Sequence, residues 1–141
     1  MAGGVCRIRQ VHRAALEGCR TLLALPVGQQ AADLEDRLQV LGLATTSTHT
    51  LPDLLGRIDD DMTSPEALII DRRLLGGEPN ALIRAIAKLL PSAALLVLSE
   101  TPALDCVGLP EEIMFMPSGA PSDSIIESLA RARDLLALSA G

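Results

Sequence analysis

The apolar positions of this 141-residue chain switch repeatedly between two patterns. Short unbroken apolar runs predict strands buried on both faces; apolar residues three or four apart predict helices with one inward side. Residues 21–25 (TLLAL) are the first such run, ended by Pro26 and Gly28 in a turn. Residues 31–41 set Leu34, Leu38 and Leu41 on one face, with Asp33, Glu35, Asp36 and Arg37 mostly outward, and Gly42 stops that helix. Residues 43–49 (LATTSTH) are rich in β-formers. Thr50-Leu51-Pro52-Asp53 has the form of a capping box opening a helix through Ile58, with Pro52 tolerated in the first turn.

The alternation continues. Residues 67–71 (ALIID) are a second buried strand that ends on a carboxylate, and Gly76-Gly77 breaks the chain after it. Pro79 starts a helix to about Leu90, with Leu82, Ile83, Ile86 and Leu90 inward. Residues 94–98 (ALLVL) are a third buried strand, ending at Ser99. The stretch from Thr101 to Glu111 contains Pro102, Gly108 and Pro110, which oppose a long helix, so it reads as short and irregular. Residues 112–116 (EIMFM) are the last strand, 117–121 a turn, and Ser122 to about Leu138 a long final helix with Ile125, Ile126, Leu129, Ala132, Leu135 and Leu136 as its apolar stripe.

Continuous apolar strands alternating with amphipathic helices imply a parallel sheet covered on both sides. The expected fold is therefore α/β: a doubly wound, five-stranded parallel sheet in a flavodoxin-like (βα)5 three-layer sandwich. In such sheets the functional crevice lies beyond the carboxyl ends of the strands. The residues expected there are Pro26, Val27 and Gly28; Asp71, Arg72 and Arg73; Ser99, Glu100 and Thr101; and Pro117, Ser118 and Gly119.

Composition narrows the reading. With 48% hydrophobic and 21% charged residues the chain is that of one globular domain, and Phe115 is its only aromatic ring. Its core must be packed from Leu, Ile, Val and Ala. No apolar run approaches the roughly 20 residues of a membrane span, and no signal-peptide stretch is visible, so a cytoplasmic location is expected. Cys6, Cys19 and Cys106 form no CxxC pair, which fits reduced thiols rather than a disulfide framework or a zinc site. Of the net charge of −6, residues 1–20 carry +3, from Arg7, Arg9, Arg13 and Arg20 against Glu17, which leaves −9 on the rest. An acidic body without stacking rings is a poor nucleic-acid binder. Residues 1–20 form a separate basic amphipathic segment, read as a helix from the spacing of Ile8, Val11, Ala15 and Cys19; residues 21–141 form the domain.

The order of elements and their end residues resembles the receiver domains of bacterial two-component response regulators, over about residues 21–138. That resemblance implies the (βα)5 fold. It places Asp71 at the phosphoacceptor aspartate's position, Ser99 at the switch hydroxyl's, and Phe115 at the aromatic position of the fifth strand. It also implies an acidic pair after the first strand to hold magnesium and a lysine after the fifth. Here the acidic-pair positions carry Pro26 and Val27, the lysine's position falls at Ser118, and the one lysine of the chain, Lys88, lies in the third helix. Phosphoryl transfer to a carboxylate concentrates negative charge, and it needs a divalent cation and a fixed positive group.

The expectation is a degenerate receiver (pseudo-receiver), not an enzyme, with no cofactor. It would act in two-component-type regulation by contact with a protein partner: a kinase, an output domain or another regulator. A homodimer is compatible with this. Asp71 then reads as a strand-end carboxylate held by loop amides or by Arg72 or Arg73, and Ser99 as a hydroxyl capping the next turn. Two alternatives stand beside it: a divergent receiver, phosphorylated on Asp71 with Mg²⁺, and a small flavodoxin-like enzyme or nucleotide-binding module. Against the latter, Pro-Val-Gly-Gln-Gln lacks phosphate-loop glycine spacing. Asp59-Asp60-Asp61 reads as a solvated surface, and His12 and His49 have no metal-ligand spacing.

Overall fold

The computed structural model describes residues 18–59 and 64–140, with side chains described through residue 136. Five strands form one sheet in the order β2-β1-β3-β4-β5, every neighbouring pair parallel. In chain order these are β1 (Arg20–Ala24), α1 (Gln29–Val40), β2 (Ala44–Thr48), α2 (Leu51–Ile58), β3 (Ala67–Asp71), a 3₁₀ turn (Arg72–Leu75), α3 (Pro79–Leu89), β4 (Ala94–Ser99), the short α4 (Pro102–Asp105), β5 (Met114–Pro117) and α5 (Ser122–Ala140). This is the doubly wound order, with β3 at its centre and the reversal of strand order between β1 and β3.

The unbroken apolar runs have a direct structural reason. All five residues of β3 and all six of β4 are buried, and successive side chains point to opposite faces. Leu23, Ala67, Ile69, Ala94, Leu96 and Leu98 pack with Leu34 and Leu38 of α1 and with Ile125 and Leu129 of α5. Their neighbours Leu22, Leu68, Ile70, Leu95 and Val97 turn the other way, onto Leu54 of α2 and Ile83 and Ile86 of α3. Each fully buried aliphatic side chain contributes about 1.5–3 kcal/mol.

Local chemistry sets the helix ends. Thr50 accepts a hydrogen bond from the Asp53 amide at 3.3 Å, which caps α2. Gly42 follows α1 at φ 87°. Its amide donates to Gln39 O, and the Leu43 amide donates to Leu38 O. This paired arrangement needs a residue that tolerates positive φ, and the buried Leu38 and Leu43 accompany it.

The strands differ from the sequence reading mainly at the edge. β5 begins at Met114 rather than Glu112. Glu111 and Glu112 lie exposed in a turn, and only Ile113 of that approach is buried. The stretch read as irregular holds the one-turn α4, started by Pro102 at its first position. Cys19, grouped by its spacing with the basic segment, is 2% exposed inside the α1–α5 core cluster. Residues 1–17 of that segment, with Cys6 and His12, lie outside the described residues, and its last residue, Arg20, opens β1. Among the described residues no helix is long and apolar enough to cross a membrane.

Candidate functional site

The carboxyl ends of β1, β3, β4 and β5 bring the crevice residues together. Asp71 pairs with Leu98 in the β3–β4 register and Ser99 with Pro117 in the β4–β5 register, so the two polar strand ends sit side by side. Asp71 is 0% exposed. Its Oδ1 accepts from the Arg73 backbone amide at 2.9 Å and from Arg73 Nε at 3.0 Å, and its Oδ2 accepts from Arg73 Nη2 at 2.7 Å. Asp71 thus caps the 3₁₀ turn through the Arg73 amide, and the Arg73 side chain is its two-pronged counter-ion. Hydrogen bonds to Asp71, then its charge, raise the Arg73 pKa.

Arg72, the adjacent residue, goes elsewhere. Its Nη2 lies 3.6 Å from Asp105 Oδ1, at the end of α4. Asp105 Oδ2 accepts from the hydroxyl of Ser99 and from that of Thr101, the latter at 3.0 Å. The Thr101 amide in turn donates to Ser99 Oγ at 3.0 Å. The Ser99 hydroxyl foremost, with Thr101 and Arg72 adding to it, holds the Asp105 carboxyl below its ordinary value despite partial burial.

The other expected positions are distributed around this centre. Pro26 and Val27 stand in the loop after β1, and Val27 is 82% exposed. The Ser118 amide donates to Ser99 O at 2.9 Å, while its Oγ is buried without a hydrogen-bond partner among the described residues. Gln30, at the start of α1, donates from Nε2 to Ser118 O and so bridges the first and last loops of the crevice. Phe115 is partly buried and packs on the α2–α3 side. His49 lies apart: its Nδ1 donates to Leu25 O at 2.8 Å, beside a shallow cavity of about 320 Å³ between α1 and the loop carrying Val27.

Arg73 was one of the two partners expected for Asp71. Asp105 and Gln30 were not foreseen. Asp105 lies in a stretch read as irregular, although its spacing from Thr101 is that of one helical turn. Gln30 makes a contact across the fold that no local pattern announces.

A hard divalent cation takes six or more oxygens, with carboxylates prominent among them. Asp71 offers two oxygens already engaged by Arg73, and Pro26 and Val27 offer no side-chain oxygen. Among the described residues no three His, Cys, Asp or Glu side chains gather in metal-binding fashion. The residues present do not fit a magnesium ion at this strand end.

A parallel sheet of this order, with a buried aspartate ending its third strand and a hydroxyl ending its fourth, belongs to the receiver-like class of flavodoxin-like folds. Two solved structures match it over 86% of this chain and 98% of theirs. One is a response regulator receiver protein from Sinorhizobium medicae WSM419, at a TM-score of 0.73 and 17% identity. The other is a transiently phosphorylated "switch" in bacterial signal transduction, at a TM-score of 0.69 and 18% identity. At these identities the likeness is one of fold. No protein-family model matches the sequence, and no curated protein matches it.

Proposed function

We propose that this chain is a degenerate receiver: a signalling domain in two-component-type regulation that acts by protein–protein contact, without efficient phosphoryl transfer. The observation that carries this reading is the Arg73 fork on both oxygens of Asp71, in a crevice with no second carboxylate at Pro26 and Val27 and no ammonium at Ser118. Attack by a carboxylate on phosphorus requires a free oxygen and neutralisation of the charge that builds up. Asp71 has a counter-ion, but one that occupies the nucleophile itself. The fold likeness to two bacterial signalling proteins supports the assignment to signalling.

A contact role is supported by the α4 region, where Leu104 and Val107 are 73% and 69% exposed beside the edge strand β5. A kinase, an output domain or another regulator fits such a surface, in the cytoplasm. One observation favours a second reading, phosphorylation on Asp71: the carboxylate ends β3 next to the strand end that carries Ser99.

Incubation with acetyl phosphate and Mg²⁺, followed by intact mass analysis, separates the two. The expected result is an unchanged mass. A gain of one phosphoryl group, absent from Asp71→Asn, would overturn the contact-only reading.

A further inference from the structure

The turn after β3 hands two adjacent guanidiniums to two different carboxylates. Arg73 folds back onto Asp71, while Arg72 reaches forward to Asp105. Asp105 also collects the hydroxyls of Ser99 and Thr101, and Asn80 of α3 donates to its backbone oxygen at 3.4 Å. One side chain on α4 is therefore tied to the end of β4 and to the turn after β3, and its backbone is tied to the start of α3. Its side chain is 15% exposed, so these contacts are shielded from most of the solvent. Beyond α4, Arg84 Nη2 donates to Gly108 O at 2.8 Å and Leu109 packs on the α2–α3 side, whereas α4 itself buries little. It is four residues long, none of them is buried, and Leu104 points outward.

We infer that Asp105 is the positioning residue that fixes α4 on the sheet, a built-in anion that engages the Ser99 hydroxyl without any event at Asp71. This rests on the contact-only reading and adds to it how the contact surface is kept in one arrangement. A hydroxyl at the end of β4 could turn toward whatever anion lies near. Here the carboxylate six residues on takes it, and the Thr101 amide, donating to the same Ser99 oxygen, holds that hydroxyl in place. Among the described residues no hydrogen bond runs from Ser99 or Thr101 to Asp71, whose oxygens accept from Arg73. The surface bearing Leu104 and Val107 is then set by residue 105.

The test uses the full chain, labelled with ¹⁵N, as wild type and as Asp105→Asn, Ser99→Ala and Asp71→Asn. Asp105→Asn keeps the shape of the side chain and removes its charge; Ser99→Ala removes one of the two hydroxyl donors. Both are expected to lower the backbone order of residues 101–109 and to speed amide exchange there by roughly tenfold. Asp71→Asn is expected to leave that segment as in the wild type. The inference is overturned if Asp105→Asn and Ser99→Ala leave residues 101–109 as ordered as before, or if Asp71→Asn loosens them equally. A parallel acetyl phosphate arm separates this from the reading beneath it. Phosphate uptake with unchanged order at 101–109 removes the contact-only reading and leaves the role of Asp105 intact. No uptake, combined with a rigid α4 in Asp105→Asn, does the reverse.

Discussion

Arg73 grips the carboxylate of Asp71 from only two residues away, with its backbone amide and two guanidinium nitrogens, at 2.7 to 3.0 Å. Asp71 is sealed from solvent while the Arg73 side chain remains 54% exposed, so the arginine is the lid of a buried charge. Arg73→Ala leaves that charge with the backbone amide alone. The expected loss is about 1–2 kcal/mol, moderated by the exposure of the guanidinium, read from urea unfolding. Arg73→Lys should recover only part of it, because an ammonium cannot grip both oxygens.

Beryllofluoride with Mg²⁺ is a direct probe of the same crevice. Amide resonances of residues 71–73 and 99–101 in the wild type are expected to stay in place on its addition. Shifts confined to those residues would mean that the crevice supplies oxygens beyond Asp71.

Acid should act through two carboxyls whose pKa values are lowered in the fold. Asp33 is lowered chiefly by the hydroxyl of Ser122, then by Arg37, and Asp105 chiefly by Ser99. A group with a depressed folded pKa adds stability that is in place above its unfolded value and is lost as pH falls through the folded one. Stability is therefore expected to decline below roughly pH 4, near the ordinary aspartate value. Asp33→Asn and Asp105→Asn should each flatten that acid limb in thermal melts across pH 2 to 6, a range set by the same value.

Gly42 tests the end of α1. At φ 87° any side chain is strained whatever room surrounds it. Gly42→Ala is expected to destabilise by about 1 kcal/mol, whereas Gly28→Ala, at an extended φ of 165°, should change little. Paired denaturation curves check this.

The thiols should differ in reactivity. Burial pushes the Cys19 thiol up, and the side chain lies within the core; Cys106 is exposed. In a Cys6→Ser background, alkylation at neutral pH should label Cys106 quickly and Cys19 only on unfolding.

The sheet could be read from the sequence because β3 and β4 are buried on both faces, which leaves no polar interruption to blur their runs. The α2 start could be read because Thr50 and Asp53 carry it locally. β5 was harder. It is an edge strand of partly buried residues, and Ile113 extends its apolar run into a turn that forms no ladder. At the crevice, the placing of Asp71 and Ser99 followed from strand ends alone. The choice between Arg72 and Arg73 as the partner of Asp71 did not, because it depends on how the 3₁₀ turn aims successive side chains. Gln30 meets Ser118 across 88 residues of sequence, a pairing that only the folded sheet creates.

Phe115, packed against the α2–α3 side, is the single phenyl ring in a chain that has neither tryptophan nor tyrosine. The domain is consequently almost dark in the near ultraviolet. Any tyrosine or tryptophan a binding protein brings to its surface would supply nearly the whole fluorescence of the complex, so association can be followed from the other side without a label.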